Sequence, residues 1–80
     1  MWIKTQDGDL LNSDKVYRFY ADEENNVYAQ IEAGERWSDW TLGKYKTTAR
    51  AKTALDAIFT ALHHGKKTFE MPPEDVETAA

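Results

Sequence analysis

Lys44, Lys46, Thr47, Thr48 and Arg50 fall within seven residues of each other, where a strand pattern gives way to a helix pattern. A helix N-terminus presents free N–H groups and the positive end of a dipole, and both attract anions. The dipole favours acidic residues in the first turn, yet no acid follows until Asp56. Such a basic helix start suits a phosphate or a carboxylate. Trp37, Trp40, Tyr45 and Tyr28 offer flat rings on which a base can stack. Lys44, Lys46, Thr48 and Arg50 are therefore the candidate anion ligands, and Trp37 and Trp40 the candidate stacking residues, of a small nucleotide-like ligand. The competing reading is plainer. Thr47 caps the helix, the long cations are solvated, and the aromatics belong to the core or to a subunit interface.

Other chemistry finds less support. His63 and His64 are adjacent, so on a helix they point about 100° apart and do not share one metal. Carboxylates are plentiful at Asp7, Asp9, Asp14, Asp22, Glu23, Glu24, Glu35 and Asp39, but nearly all fall in turn sequences. Turn carboxylates bond the local backbone or water, whereas an acid or base catalyst needs burial or a close partner. Asp7-Gly8-Asp9 matches the start of a calcium loop but lacks the glutamate at loop position 12. Ser13 and Ser38 lack a nucleophile-elbow context, and there is neither a cysteine nor a glycine-rich phosphate loop. No catalytic residue, metal site or cofactor is assigned, and the chain is read as a non-enzyme.

The element that organises the chain is a helix over Thr47–Gly65. Ala51, Ala54, Leu55, Ile58, Phe59 and Leu62 follow the i, i+3, i+4, i+7 series of one helical face. Leu55, Ile58 and Leu62 are expected to line the core. Thr47 or Thr48 supplies the cap, Gly65 the left-handed stop, and the basic residues near the C-terminal end suit the dipole. Before the helix the pattern is of strands. Met1–Thr5 pairs back on Leu10-Leu11 through an Asp-Gly turn. Lys15–Ala21 and Val27–Ala33 form a hairpin, and Trp37–Tyr45 follows after Gly34. Simple alternation puts Val16, Arg18 and Tyr20 on one face of their strand and Tyr17, Phe19 and Ala21 on the other. Val27, Ala29, Ile31 and Ala33 point inward. Gly43 inside a strand marks a bulge or a close backbone approach. Lys66–Met71 is extended, as a short edge strand or a segment beside the helix, and Pro72-Pro73 stops regular structure.

The expected fold is α+β, an antiparallel meander of about four strands with one C-terminal helix packed on one face. Residues 1–73 form a single domain and 74–80 an acidic, disordered tail. The uncovered face would carry Tyr17, Phe19 and Tyr28, which are the candidate interface residues. Eighty residues have a small core, and domains of this size often add disulfides, a metal or oligomerisation. With no cysteine and ten aromatics, a homo-oligomer is the expectation.

The net charge of −4 argues against general nucleic-acid binding. Its distribution is uneven, at +5 over residues 44–67 and −9 elsewhere. The absence of cysteine fits a reducing compartment, and no apolar run reaches the length of a signal peptide or membrane span. A cytoplasmic location without membrane attachment is expected.

The pattern W-T-L-G-K-Y-K-T-T-x-x-A-x-x-x-L-x-x-I-x-x-A-L-x-x-G-K-K-x-F-x-M-P runs from Trp40 to Pro72. Together with the opening MWIKTQDGDLLN, it resembles small uncharacterised single-domain proteins of Firmicutes and their phages. The resemblance covers most of the chain and transfers no catalytic residue. It implies an accessory or anti-defence role in a phage or mobile element. Two hypotheses follow. The first is an oligomeric binder that sequesters a small anionic nucleotide-like ligand. The alternative is a protein–protein interaction module that binds and inhibits or regulates a host protein.

Overall fold

The computed structural model describes residues 1–74; the acidic tail expected from the sequence lies, from residue 75 onward, outside the described residues. Among the described residues the fold is α+β, with one α-helix and six strands in two small sheets. Strands β3 (Val16–Ala21), β4 (Asn26–Ala33) and β5 (Arg36–Lys44) form an antiparallel meander, and α1 (Thr48–His63) follows them and packs against β3 and β4. The second sheet has the order β2-β1-β6, from β1 (Trp2–Lys4), β2 (Leu10–Asn12) and β6 (Thr68–Glu70). The sequence suggests about four strands. The extra pairing comes from residues 68–70 returning parallel to β1, with Ile3 opposite both Leu11 and Phe69.

Local chemistry explains each boundary. Thr47 is the N-cap, and its hydroxyl accepts from the Arg50 N–H at 3.1 Å. At the other end Lys66 N–H donates to Ala61 C=O and Gly65 N–H to Leu62 C=O, with Gly65 at φ 66°. That pair of bonds is the left-handed stop expected at Gly65. In the β3–β4 turn Asp22 Oδ1 accepts from the Glu24 and Asn26 N–H groups, which lets Asn25 adopt φ 65°. The first hairpin is looser than an Asp-Gly two-residue turn, because Thr5 bonds to Asp9 across three residues and Gly8 carries the positive φ.

The core joins both sheets to the helix. Ile3, Leu11, Val27, Ala29, Leu42, Tyr45, Ile58 and Met71 are buried in one cluster. On α1 the buried stripe is Ala51, Ala54, Ile58 and Ala61. This corrects the expected inner face: Leu62 is exposed, Leu55 only half-buried, and Phe59 is 70% exposed. Small alanines let the helix approach the sheet closely, and this turns the bulkier 55–59–62 stripe out beside β3.

The two sheets meet at Gln6. Its N–H donates to Leu42 C=O, and its side-chain amide copies a strand partner for Lys44. Lys44 N–H donates to Gln6 Oε1 at 2.7 Å, and Gln6 Nε2 donates to Lys44 C=O at 3.1 Å. Gln6 Nε2 also reaches Pro72 C=O, which the Tyr45 hydroxyl bonds at 2.8 Å. Gly43 leaves the space for this joint, so the glycine expected to mark a bulge or close approach sits beside both: Leu42 is the extra residue of a bulge opposite Val27 and Tyr28.

Candidate functional site

The face of the β3–β4–β5 sheet opposite α1 carries a set of aromatic rings. Register places Tyr20 beside Tyr28, Gln30 between Arg18 and Asp39, and Trp37 beside Glu32. Residues paired across strands share a face, and Val27 and Ala29 occupy the buried one. The outer face therefore holds Arg18, Tyr20, Tyr28, Gln30, Glu32, Trp37 and Asp39.

Tyr17 joins them through an irregularity. The β3–β4 register slips between Val16 and Arg18, so Tyr17 is an unpaired bulge residue. Its ring lies 4.5 Å from that of Trp37. The bulge overturns the alternation expected for β3. Val16, Phe19 and Ala21 face the helix side, while Arg18 and Tyr20 face outward with Tyr17. Of the three candidate interface residues, Tyr17 and Tyr28 share the outer face. Phe19 does not, because it packs against the core beneath α1.

The platform is held by its own polar contacts. The Tyr20 and Tyr28 rings are 5.2 Å apart, and the Arg18 guanidinium carbon lies 4.3 Å from the Tyr20 ring centre. Gln30 Nε2 donates to Asp39 Oδ1 at 3.2 Å. The Tyr20 phenol is pushed up first by burial among its neighbours and then by its hydrogen bond and charge interaction with Asp39, with Arg18 opposing. The Tyr28 phenol is pushed up chiefly by its hydrogen bond to Asp22. Asp22 is itself held low, foremost by the Asn26 backbone N–H. Both tyrosines thus stay protonated with their hydroxyls engaged, and what they present outward is ring surface. Tyr17 is 68% and Trp37 51% exposed. This arrangement of exposed rings can bind.

The helix start is arranged differently. Thr48 Oγ1 donates to Asn25 Oδ1 at 3.0 Å, and the Arg50 guanidinium donates to Glu74 C=O at 3.3 Å. Lys44 and Lys46 are exposed. The groove beside Lys44, about 260 Å³, also contains Asp7 and Glu74, so acids outnumber the cation there. Trp37 and Lys44 are seven strand residues apart, roughly 23 Å at ~3.3 Å per residue. The sequence-based site therefore splits within one chain: Lys44 ends β5 paired with Asn26, Thr48 and Arg50 open α1, and Trp37 lies at the far end of β5. Trp40 pairs with Ala29, so it belongs to the helix side of the sheet, away from Trp37.

His63 stacks on Phe59 and meets His64 edge-on. Among the described residues no three His, Cys, Asp or Glu side chains are grouped to hold a metal, and no helix is long and apolar enough to cross a membrane.

Sequence reasoning missed Arg18, Tyr20 and Asp39. The hairpin pairing of Tyr20 with Tyr28 was within reach of register arguments. The bulge that adds Tyr17 to them carries no glycine or other local mark. Comparison with known protein families, curated proteins and solved structures returned no match.

Proposed function

We propose that this protein is a non-catalytic binding module that engages a protein partner through the outer face of its β3–β4–β5 sheet. The observation that supports this reading is the platform of Tyr17 on Trp37 and Tyr20 on Tyr28, with Arg18 over Tyr20. Tryptophan, tyrosine and arginine are the residues that dominate interface energies. Rings already held by neighbours lose little freedom on binding. Arg18 and Lys44 stand against Asp22, Glu32 and Asp39, so acids outnumber cations on this side and the local charge disfavours phosphate. In the phage or mobile-element setting implied by the sequence resemblance, that partner is a host protein and the outcome is its inhibition or regulation. Affinity capture from host lysate tests this, using wild type, Tyr17→Ala and Trp37→Ala. A protein retained by wild type and lost with both variants is the expected result. Equal retention by all three, or no specific retention, defeats it.

The sequestering reading draws on one observation, the absence of any acid in the first turn of α1 beside Lys44 and Arg50. Calorimetry against cyclic nucleotides and ADP-ribose derivatives separates the two. Binding that is lost in Lys44→Ala and Arg50→Ala, but kept in Trp37→Ala, would move the function to the helix start.

A further inference from the structure

We propose that the open edge of β3 and the apolar flank of α1 above it form a two-fold interface with a second copy of this chain. Among the described residues β3 is an edge strand, paired only with β4. Asn26 C=O accepts from Asp22 N–H, so the even residues of β4 turn their backbone toward β3. Arg18 and Tyr20 answer them, which leaves the N–H and C=O groups of Phe19 and Ala21 pointing away from the sheet. The Tyr17 bulge lies at the start of the strand, and beyond it the edge carries no proline or lysine to block pairing. The rival edge, on β5, is partly occupied, because Gln6 takes Leu42 and Lys44.

Directly above the β3 edge, Leu55, Phe59 and Leu62 form an i, i+4, i+7 stripe along α1. With Phe19 and Ile58 they line an apolar groove of about 390 Å³. Phe59 is 70% and Leu62 43% exposed. A second copy covers the strand edge and the stripe in one step. A two-fold axis normal to the sheet makes β3 antiparallel to its counterpart and does the same for the helices.

The spacing fits. Helix α1 rests on β3 and β4, and one strand spacing of about 4.8 Å across the axis then sets the two helix axes about 10 Å apart. Packed helices lie 8–10 Å apart as a rule. The area fits as well. At about 1.5 Å per residue α1 is ~24 Å long, and helix plus sheet stand ~20 Å high. Before surface relief that footprint is ~480 Å², the scale of an interface that buries ~800 Å² per partner.

The polar groups are also complementary. An axis crossing near Phe59 stacks the two Phe59 rings and brings Asp56 level with His63 of the second copy. Each carboxylate then accepts an imidazole N–H, and the contact occurs twice. Because the outer sheet face stays uncovered, the two aromatic platforms become one continuous six-stranded surface.

Sedimentation of the full chain tests the interface. The subunit is 9.2 kDa, and wild type at ~100 μM should sediment with twice that mass. Phe59→Glu changes an exposed side chain, so it should keep its far-ultraviolet circular dichroism. It should raise the dimer dissociation constant ~30-fold or more, as loss of a central anchor does. The chain has no cysteine, so an Asp56→Cys, His63→Cys double variant reports position directly. The two sites are seven helix residues, ~10 Å, apart, too far for a bond within one chain. Mild oxidation should yield a covalent dimer, whereas Trp37→Cys should stay uncoupled. A 9.2 kDa wild type, a dimer indifferent to Phe59→Glu, or coupling through Trp37→Cys in place of the helix pair would each overturn the proposal. The Trp37→Ala variant used to test partner binding should leave the dimer intact, so the two proposals fail separately.

Discussion

Replacing Gly43 by alanine tests the joint between the two sheets. A Cβ there would lie 2.8 Å from Gln6 Cδ and 3.0 Å from both Gln6 Nε2 and the Tyr45 hydroxyl. Gly43 is not among the positive-φ glycines, so its backbone suits alanine and contact alone sets the cost. The Gln6 side chain has to leave. Its three hydrogen bonds to Lys44 and Pro72 go with it, at about 1 kcal/mol net each. Alanine regains about 0.5–1 kcal/mol over glycine in a strand, and crowding at Tyr45 offsets part of that gain. The expected loss is about 2–3 kcal/mol, a large share of the roughly 4–12 kcal/mol typical of a domain this size. For an 80-residue chain each kcal/mol moves Tm by about 6 °C, so the midpoint should fall by about 12–18 °C. Urea unfolding followed by tryptophan fluorescence, on wild type, Gly43→Ala, Gln6→Ala and the double variant, isolates the mechanism. Gln6→Ala removes the same bonds and should cost a similar amount. Once Gln6 is gone the new methyl group meets only Tyr45, so the double variant should be little worse than either single one, with a coupling of about 2 kcal/mol. Additive losses, or a Gly43→Ala variant as stable as wild type, would refute the reasoning.

Three further outcomes are expected. Thr47→Ala should cost about 1 kcal/mol of stability through loss of the helix cap, and Thr48→Ala, whose hydroxyl reaches only Asn25, clearly less; the reverse order in urea melts would reassign the cap. Asp22 is held low by backbone N–H groups, so its contribution is complete above the ordinary carboxylate value of about 3.9 and is lost as pH falls through its lower folded value. Urea midpoints measured from pH 5 down to 2 should therefore drop more for wild type than for Asp22→Asn, and parallel curves would contradict this. Tyr45 is raised by burial, with a Gln6 hydrogen bond opposing, so its contribution is complete below about pH 10 and fades as pH climbs through the higher folded value. Tyr45→Phe should start less stable at pH 8 because Pro72 loses its donor, yet decline less between pH 10 and 12; equal declines would remove Tyr45 from the alkaline transition.

Much of the fold was legible from spacing. The helix, a threonine cap at 47 or 48, the Gly65 stop, the inward Val27 and Ala29, and the β3–β4–β5 meander all follow from local propensity and period, and the fold selects Thr47 as the cap. The candidate site was less legible. Lys44, Lys46, Thr48 and Arg50 are close in sequence, but the strand end and the first helical turn give them different neighbours: Asn26 beside Lys44, Asn25 on Thr48 and Glu74 on Arg50. Proximity along the chain groups Trp37 with them, but an extended strand separates residues faster than any other element. Alternation puts Phe19 with Tyr17, and one unpaired residue in β3 reverses that.

The helix period and the strand alternation reside in the residue order, since they depend on backbone geometry within a few positions. Four things depended on partners distant in the chain: the parallel return of β6 to β1, the Gln6 amide acting as a strand for Lys44, the bulge that turns Tyr17 onto Trp37, and the rotation of α1 that buries Ala61 and leaves Phe59 outside. Each is settled by which surface reaches the core first and at what distance. A chain read one residue after another does not contain that quantity, and packing decides it.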